Sequence, residues 1–543
     1  MGSAKIRWMS PPTLPPRQND SNRKLAPLLV FFSYAMLVAA WTFGSPPFAA
    51  PDEWWHYLRA VSIGHGQLVG KPGGREAAKA MVGERPANQP EQSYEDMLAS
   101  IAQTNRWVQI PPGFSPGWFR CPVVDPNVSA RCLNDSPPLA EAHDWFISAA
   151  TYQPLPYLVP AGISRIGVHP DNLDRLMRAG KALISLLLLG AAIFLLWSPR
   201  SQLVSLVGLV GAVTPMAVFL SASLNPSGFE IMSALAFTSA LLRLTREETE
   251  HGCGRWAWVI VAVSGFVLAL SRTTGPVWII LNLAVAVPLA GVRAFLTMII
   301  KWKRWSGAAL VAVFLAILLN RLWEYLYGQR LTFDMTPFRS SLMEGLTQLP
   351  RLLMEQIGVF NHLEFGMPWW AYELWQGLAV ALVVTALLVS TRQQRLLLVT
   401  AIVAVLAVPV LLVAATMRHT GFGLQGRYVL AFSMVVPLLA GEILVRRYER
   451  LRALDAHRLF LPCAAIAGFV QFVAWWTNAR RFAVGISGPR WFLNSAEWSP
   501  PWGWTFWLAL AAAGGFLLVA TALVDGFFSG RESDTRQIGS IST

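Results

Sequence analysis

The hydrophobic positions of this chain gather into long uninterrupted runs, not the alternating or one-sided patterns of soluble strands and helices. Most runs approach the roughly 20 residues that a helix needs to cross about 30 Å of hydrocarbon. They predict an all-α polytopic membrane domain over residues 27–524, a helical bundle of about twelve transmembrane spans, at residues 27–43, 177–197, 202–221, 227–245, 256–271, 275–292, 305–326, 372–390, 396–416, 427–445, 459–476 and 504–524.

Three segments between these runs are too long to be simple connectors, namely residues 44–176, 327–371 and 477–503. Long loops in compact proteins are usually functional, so we expect all three to be external loops that carry the site. Within the second, apolar residues at helical spacing from Phe338 to Phe360 predict an amphipathic helix on the outer surface. The pattern is compatible with two roles for this helix, a lid over the site and an anchor in the lipid.

The apolar segment 152–166 decides the topology. It is proline-rich and short for a crossing, and counting it as a span would invert every later loop. Basic loops favour the cytoplasm, and only a non-crossing segment puts the arginine-rich loop from Arg446 to Arg458 inside. We therefore expect an outer interfacial helix at 152–166, a disordered cytoplasmic N-terminus at 1–26 and a polar, disordered cytoplasmic tail at 525–543.

The composition excludes a soluble globular protein. Hydrophobic residues make up 54% of the chain and charged residues 14%, whereas about a quarter of a soluble domain is charged. The net charge of +13 lies in short loops between the apolar runs, which indicates membrane topology and excludes a nucleic-acid partner. The chain also lacks a Walker A loop and a Rossmann glycine fingerprint, which argues against a nucleotide-driven pump.

Two of the four cysteines, Cys121 and Cys132, share the external segment 44–176. An oxidising compartment favours a disulfide between them, and two free thiols are the alternative. Cys253 falls in a predicted inner loop and Cys463 in a span, so neither is expected to pair. No cysteine or histidine spacing typical of a metal site occurs.

Adjacent acids, Asp52 and Glu53, follow the first predicted span in the stretch Pro51-Asp-Glu-Trp-Trp-His56. A carboxylate beside apolar surface must pair, bind a cation or raise its pKa, and a well placed carboxylate can act as a general base. Because acids also favour helix N-termini, the two can instead cap a helix that begins at Trp54. We expect no cofactor. Asp52, Glu53 and His56 are able to supply ligands to a divalent metal, but the sequence does not indicate one.

The order of four motifs along the chain carries a family resemblance. Pro51-Asp-Glu-Trp-Trp-His56 is followed by Asn225-Pro-Ser-Gly-Phe-Glu230, by Gly358-Val-Phe-Asn-His-Leu-Glu-Phe-Gly-Met-Pro368 and by Gly423-Leu-Gln-Gly-Arg-Tyr428. In this order the chain resembles the bacterial DUF2142 family of predicted membrane proteins. The acid after helix one, the long first external loop and the proline-rich helix at Tyr152-Gln-Pro-Leu-Pro-Tyr157 also resemble the GT-C superfamily of integral-membrane glycosyltransferases.

The GT-C resemblance implies an inverting glycosyltransferase with GT-C-like external loops and juxtamembrane helices. Its donor is a polyprenyl-phosphate sugar, and its acceptor is an envelope glycan or lipid on the outer face of the bacterial inner membrane. Carried over to this chain, the resemblance puts the catalytic base on Asp52, with Glu53 as the alternative or as a supporting acid. The proline-rich helix has Gln153 where many GT-C relatives carry His or Lys.

The phosphate leaving group needs positive charge near the outer membrane surface. Arg427, in Gly426-Arg-Tyr428, is the main candidate, because a guanidinium can hold phosphate oxygens in a bidentate manner. Arg178 and Arg272 are further candidates for phosphate or sugar, and all three arginines can instead anchor helix ends at the interface. The remaining predicted substrate-binding residues are His56, Tyr428, His362 and Glu364.

Two other classes of protein remain open. Twelve spans with both termini inside is a common layout of secondary transporters, and a flippase of lipid-linked sugars is one such alternative. A structural scaffold for envelope assembly is the other. The transferase hypothesis, unlike the scaffold, predicts that Asp52 and Arg427 face the same outer cavity.

Overall fold

The structure, a computed structural model, describes residues 25–85, 91–114, 125–135, 138–167, 170–246, 253–328, 336–420, 423–451 and 456–541. Helices make up about three quarters (75%) of the residues that the structure describes. The prediction of a disordered segment at 1–26 falls outside these residues up to residue 24, and its last two residues belong to the first helix. The predicted disulfide partner Cys121 also lies outside the described residues.

Eight described helices are long and apolar enough to cross a membrane, and they match eight of the twelve predicted spans. Many of their apolar side chains are exposed, as lipid-facing positions are; Val311 and Phe314 of α13 are 66% and 68% exposed. The eight helices are α1 (Leu25–Gly44), α6 (Pro170–Leu196), α10 (Cys253–Ser271), α13 (Lys303–Tyr327), α15 (Trp369–Val389), α16 (Arg392–Thr420), α20 (Ala456–Val484) and α21 (Gly503–Ile541).

Two predicted spans fold as bent helix pairs. α7 (Val204–Ala212) meets α8 (Pro215–Ser221) at 71°, where Pro215 begins the second helix and Thr214 caps it. α11 (Gly275–Ala290) meets α12 (Val292–Lys301) at 100°, because Gly291 between them adopts a φ of 84°. Counting each pair as one span gives up to ten candidates among the described residues.

The two remaining predicted spans, residues 227–245 and 427–445, depart further from the predicted transmembrane helices. Run 227–245 forms α9 (Ser227–Leu244), which holds several polar residues and is buried at every position except Arg243, at the centre of the bundle. Run 427–445 is broken into a 3-10 turn at Gly426–Tyr428, α17 (Leu430–Ser433) and α18 (Val435–Arg446), after which comes α19 (Tyr448–Leu451). Neither run qualifies as a candidate span.

The segment 44–176, predicted to be external, contains a small sheet that an all-α fold does not anticipate. Its strands are β1 (Lys71–Pro72), β2 (Arg106–Ile110) and β3 (His143–Ile147), paired antiparallel in that order. Val108 and Ile110 are buried on either side of the exposed Gln109, which is the period-two alternation of a strand. The helices of this segment are α2 (Glu53–Gly64), α3 (Gly74–Val82), α4 (Glu91–Thr104) and α5 (Leu158–Ile163).

The proline-rich segment 152–166 forms no long helix, and its position at the outer interface stays a prediction. A 3-10 turn at Leu155–Tyr157 leads into α5, which has only 6 residues and packs against α2 and α6. The predicted amphipathic helix is also present as α14 (Phe338–Gly358), and it packs against α16. A two-stranded hairpin follows it, formed by β4 (Val359–Phe360) and β5 (Phe365–Gly366).

The helix ends form two faces of the bundle. Ser33 of α1 bonds to the carbonyl of Gly514 in α21, and Gly44 of α1 lies against Trp507, so the two helices run antiparallel. The end of α1 and the beginnings of α9 and α21 share one face with α2. α21 continues to Ile541 with no proline after Pro501 to end it, and the predicted disordered cytoplasmic tail at 525–543 stays a prediction.

Candidate functional site

The turn between α1 and α2 positions the two predicted acids. Asp52 adopts a left-handed φ of 59° at the residue before α2, and its side chain makes no capping hydrogen bond. The left-handed conformation suits Asp better than most residues other than Gly. The helix-cap interpretation of Asp52 is therefore wrong, and its carboxylate is directed to a partner elsewhere in the chain.

That partner is Arg427, whose Nη2 lies 2.6 Å from Asp52 Oδ2. The side chain of Asp52 is 43% exposed, whereas that of Arg427 is only 2% exposed. Burial opposes the charge on Asp52, but attraction to Arg427 outweighs it and lowers the pKa of this carboxyl. The two residues that the sequence singled out therefore meet directly, with the carboxylate open to solvent.

Arg427 keeps unused donors. Nη2 also donates to the hydroxyl of Tyr428 at 3.1 Å, but Nε and Nη1 are buried and have no hydrogen-bond partner among the described residues. An unpaired buried donor costs about 1–3 kcal/mol, and more when charged. A bound anion would satisfy these donors.

Arg272 joins the same group of side chains through Tyr428. The guanidinium of Arg272 lies 4.3 Å from the centre of the Tyr428 ring and that of Arg427 lies 5.0 Å from it. Arg272 also donates to Ser227 Oγ at 2.7 Å. Burial opposes ionisation of Tyr428, but the two guanidinium groups outweigh it and lower the pKa of the phenol. Arg427, Arg272 and Tyr428 thus form a positively charged group around Asp52, here called the Asp52 site.

The backbone before Arg427 is held by an acid that sequence reasoning missed. Glu355 of α14 is buried, and its Oε2 accepts the N–H of Gly426 at 2.6 Å. A Cβ on Gly426 would overlap the carbonyl oxygen of Leu352, so only glycine allows this approach. The helical periodicity of α14 was the only sequence signal for this contact.

Glu53 has a different role from its neighbour. It is fully buried, and Arg178 binds both carboxylate oxygens at 2.9 and 2.5 Å, while Leu224 N–H donates to Oε1 at 2.8 Å. No acceptor oxygen is left facing the exposed side of Asp52. Of the two acids, Asp52 has the exposed carboxylate, whereas Glu53 is a buried anion held in an ion pair.

Arg178, predicted to bind substrate, forms the buried ion pair with Glu53. Its side chain is 1% exposed and lies 3.0 Å from Asp174 on the same helix, and it also donates to the carbonyls of Ser45 and Pro46. These contacts tie α6 to the turn that carries Asp52. Arg178 thus positions that turn and makes no contact with the Asp52 site.

His56 lies one helical turn after Asp52 and is buried against two tyrosines. Its Nδ1 is 2.8 Å from the hydroxyl of Tyr157, and its ring lies against those of Tyr157 and Tyr152. Burial lowers the pKa of His56 to about 3, with Asp52 acting in the opposite direction, so the ring is neutral at physiological pH. A neutral His56 is suited to hydrogen bonding and not to neutralising phosphate.

His362 and Glu364, both predicted to bind substrate, have different surroundings in the structure. His362 stands between Asn361 and Leu363, both at positive φ. Burial lowers the pKa of the His362 ring, and the charge of Asp52 acts in the opposite direction. Its Nε2 is buried without a partner among the described residues. Glu364 instead pairs with Arg481 and Asn361, in contacts that attach the hairpin to the end of α20.

The motif that begins at Asn225 also contributes to this region. Asn225 Nδ2 donates to the carbonyl of Pro51 at 2.8 Å, and Ser227 accepts from Arg272. Glu230 is fully buried and accepts from Thr274 and Trp278. From the sequence these residues were recognised only as a family motif. Their contacts are with segments far away in the chain, so no local pattern predicts them.

Cys132 is disulfide-bonded, and the pairing with Cys121 stays a prediction. The described residues contain no group of three His, Cys, Asp or Glu side chains that could hold a metal ion. Of the three side chains considered for a cation, Asp52 and Glu53 are turned to different arginines.

Comparison with known proteins agrees with the motif order. Residues 35–436 match a family described as "Predicted membrane protein (DUF2142)". The chain belongs to the DUF2142 family. No curated protein and no solved structure matches it significantly. This DUF2142 protein is thus a multi-pass membrane protein, and three of the four motifs that gave the resemblance contribute residues to the Asp52 site or to its immediate supports.

Proposed function

We propose that this DUF2142 protein is a GT-C-like inverting glycosyltransferase that moves a sugar from a polyprenyl-phosphate donor to an envelope glycan or lipid. The observation that carries the proposal is the Asp52–Arg427 pair. It combines a half-exposed carboxylate with a buried guanidinium that has two unused nitrogens. The first can accept a proton, and the second can bind an anion.

The chemistry needs one carboxylate and one cationic group. Asp52 takes the proton of the acceptor hydroxyl, whose oxygen attacks the anomeric carbon from the face opposite the phosphate. The bond from that carbon to the phosphate oxygen breaks, and polyprenyl phosphate leaves with the electron pair. Arg427, assisted by Arg272, stabilises the departing anion. The proton on Asp52 then passes to solvent, to which its side chain is open.

Donor binding also prepares the base. In the described state Arg427 neutralises Asp52 and lowers its pKa. A phosphate that binds Arg427 competes for this positive charge, so the carboxylate loses part of its stabilisation and becomes more basic. The donor would then activate the base at the moment when the sugar is in place.

The membrane arrangement belongs to the same proposal. We infer about twelve spans in the bacterial inner membrane, counting α9 and the broken α17–α18 segment as crossings. Both termini are then cytoplasmic, and the Asp52 site faces outward with the GT-C-like loops. The positive charge of the opposite face, which carries Arg246, Arg446 and Arg447, supports this orientation.

A flippase of lipid-linked sugars is the second candidate, favoured by charges inside the bundle. Lys181 is fully buried in α6 and donates to the carbonyl of Leu220 at 2.9 Å. Glu230 keeps Oε2 without a partner among the described residues. Such buried ionisable groups often mark transport pathways.

The test is sugar transfer in membranes that contain the wild type, Asp52→Asn or Asp144→Asn. The probe is a set of short-chain polyprenyl-phosphate hexoses and pentoses with radiolabelled sugar, and the measured quantity is label in products stable to mild acid. We expect transfer by the wild type and by Asp144→Asn, an exposed acid in β3, and a loss of about 10²–10⁴-fold in Asp52→Asn. Lipid flipping without any covalent product would favour the second candidate.

A further inference from the structure

A second charged region lies at the opposite end of the bundle from Asp52. Glu442 of α18 is fully buried there and pairs with two arginines, Arg246 at 2.7 Å and Arg446 at 3.1 Å. Both arginines also donate to backbone carbonyls at helix ends, Arg246 to Leu196 and Arg446 to Thr245. Two cations on one anion leave a net positive charge that the surrounding packing holds in place.

A cavity of about 350 Å³ opens beside these arginines, between α12 and the bundle. Its described lining includes three cations, Arg246, Arg446 and Lys301, and no acidic side chain. The rest is largely apolar, with Phe295 and Trp302 among the lining residues. Lys301 is exposed and has no ion pair or hydrogen-bonded partner among the described residues.

The position of α12 indicates what reaches this cavity. It turns by 100° from α11, so it lies across the bundle end instead of continuing through the membrane. Its outward side chains Val292, Leu296 and Ile300 are 59%, 52% and 72% exposed. A helix of this kind, with apolar residues beside lysine and arginine, lies in the membrane interface. The phosphates of membrane lipids are found at that depth.

We propose that this cavity binds the phosphate-bearing headgroup of an anionic phospholipid. Lys301 contributes its free ammonium group to the phosphate, and the field of Arg246 and Arg446 favours a net negative headgroup over a zwitterionic one. The apolar wall around Phe295 covers the first part of an acyl chain. Basic pockets between helices at a membrane surface are typical sites for such lipids. This site is separate from the Asp52 site and does not depend on the proposed transferase.

Native mass spectrometry of the purified full-length protein in detergent tests the proposal. The probes are dioleoyl phosphatidylglycerol, dioleoyl phosphatidylcholine and inorganic phosphate. We expect phosphatidylglycerol to bind more tightly than phosphatidylcholine, and Lys301→Gln to weaken its binding about fivefold, the effect of one cation near an anionic surface. Lys303→Gln is the matched control, because Lys303 is also exposed but does not line the cavity.

Three results would overturn the proposal. They are equal binding of the two lipids, equal weakening by Lys301→Gln and Lys303→Gln, and competition by millimolar inorganic phosphate, which would assign the cavity to a soluble anion. Lys301 is exposed, so folding of the variant is expected to be intact, and circular dichroism checks this.

Discussion

Asp52 and Arg427 are 375 residues apart in the sequence, and their side chains are 2.6 Å apart in the structure. The pair connects the turn between α1 and α2 to the broken helix near the end of the matched family region. Asp52 is half-exposed, so its carboxylate is open to solvent. Arg427 is buried and offers hydrogen-bond donors in fixed positions. Each prediction below follows from this arrangement or from the residues that support it.

Glu53→Gln is expected to destabilise the protein strongly. The substitution removes one of the two counter-charges of the buried Arg178 and leaves it with Asp174, and breaking a buried ion pair typically costs about 3–5 kcal/mol. The thermal midpoint of the purified protein in detergent should fall by many degrees, whereas Glu76→Gln, an exposed acid in α3, should leave it unchanged. Equal midpoints for the wild type and Glu53→Gln would contradict the structural role of Glu53.

Gly426→Ala is expected to displace Arg427. A Cβ would meet the carbonyl oxygen of Leu352, and relieving the overlap costs about 1–3 kcal/mol. Because a shift of about 1 Å can cost a hundredfold in rate, sugar transfer should fall by about that factor. Gly377→Ala is the control, since a Cβ there meets open space. Normal transfer by Gly426→Ala would show that the turn is not needed.

Arg427→Lys is expected to impair donor binding although the charge is kept. An ammonium group is a point charge and cannot reach Asp52, Tyr428 and a phosphate as a planar guanidinium does. We expect the KM for the polyprenyl-phosphate donor to rise about tenfold, with a smaller change in kcat. Steady-state kinetics over a range of donor concentrations measures both, and an unchanged KM would argue against phosphate binding at this position.

Stability should depend on pH through His56. Its pKa is about 3 in the folded protein and near 6.5 when unfolded, so between these values only the unfolded chain binds the proton. The free energy of unfolding should therefore fall as the pH drops from 6.5 towards 4, by up to about 1.4 kcal/mol per pH unit. Asp52 has a lowered pKa, so its contribution is lost only below its usual value.

His56→Gln isolates this effect. Glutamine can keep a hydrogen bond to Tyr157 but does not titrate, so the slope of unfolding free energy against pH should decrease by about one proton. Denaturant unfolding in detergent at pH 4, 5 and 6 measures the slope. The same slope in both proteins would mean that His56 is protonated in the folded state.

The sequence predicted most of the membrane architecture, because long apolar runs are a local signal. The sequence also singled out Asp52 and Arg427, because the transferase hypothesis needs an acid and a cation at one membrane face. It did not separate Glu53 from Asp52, since the choice of partner depends on Arg178, which lies 125 residues away. It missed Glu355 for the same reason, and the strand at Arg106–Ile110 because only its last three residues, Val108 to Ile110, alternate between buried and exposed positions.

The broken helix after Gly426 shows where a hydropathy pattern misleads. An apolar run from 427 to 445 looks like one span, but in the structure it becomes a turn and two helices. The Glu355 side chain of α14 holds that turn by accepting the Gly426 N–H, and this contact is absent from the local sequence. The departure from a regular span therefore coincides with the residue that the proposed chemistry needs most.

The most direct test compares Asp52→Asn with Arg427→Gln in donor binding and in a single turnover. Asparagine tolerates the left-handed backbone of residue 52, so Asp52→Asn should bind the polyprenyl-phosphate sugar normally and fail to transfer it. Arg427→Gln should lose donor binding, while both variants keep their helical content. Wild-type single-turnover transfer by Asp52→Asn, or wild-type donor binding by Arg427→Gln, would contradict the assignment of base and phosphate site.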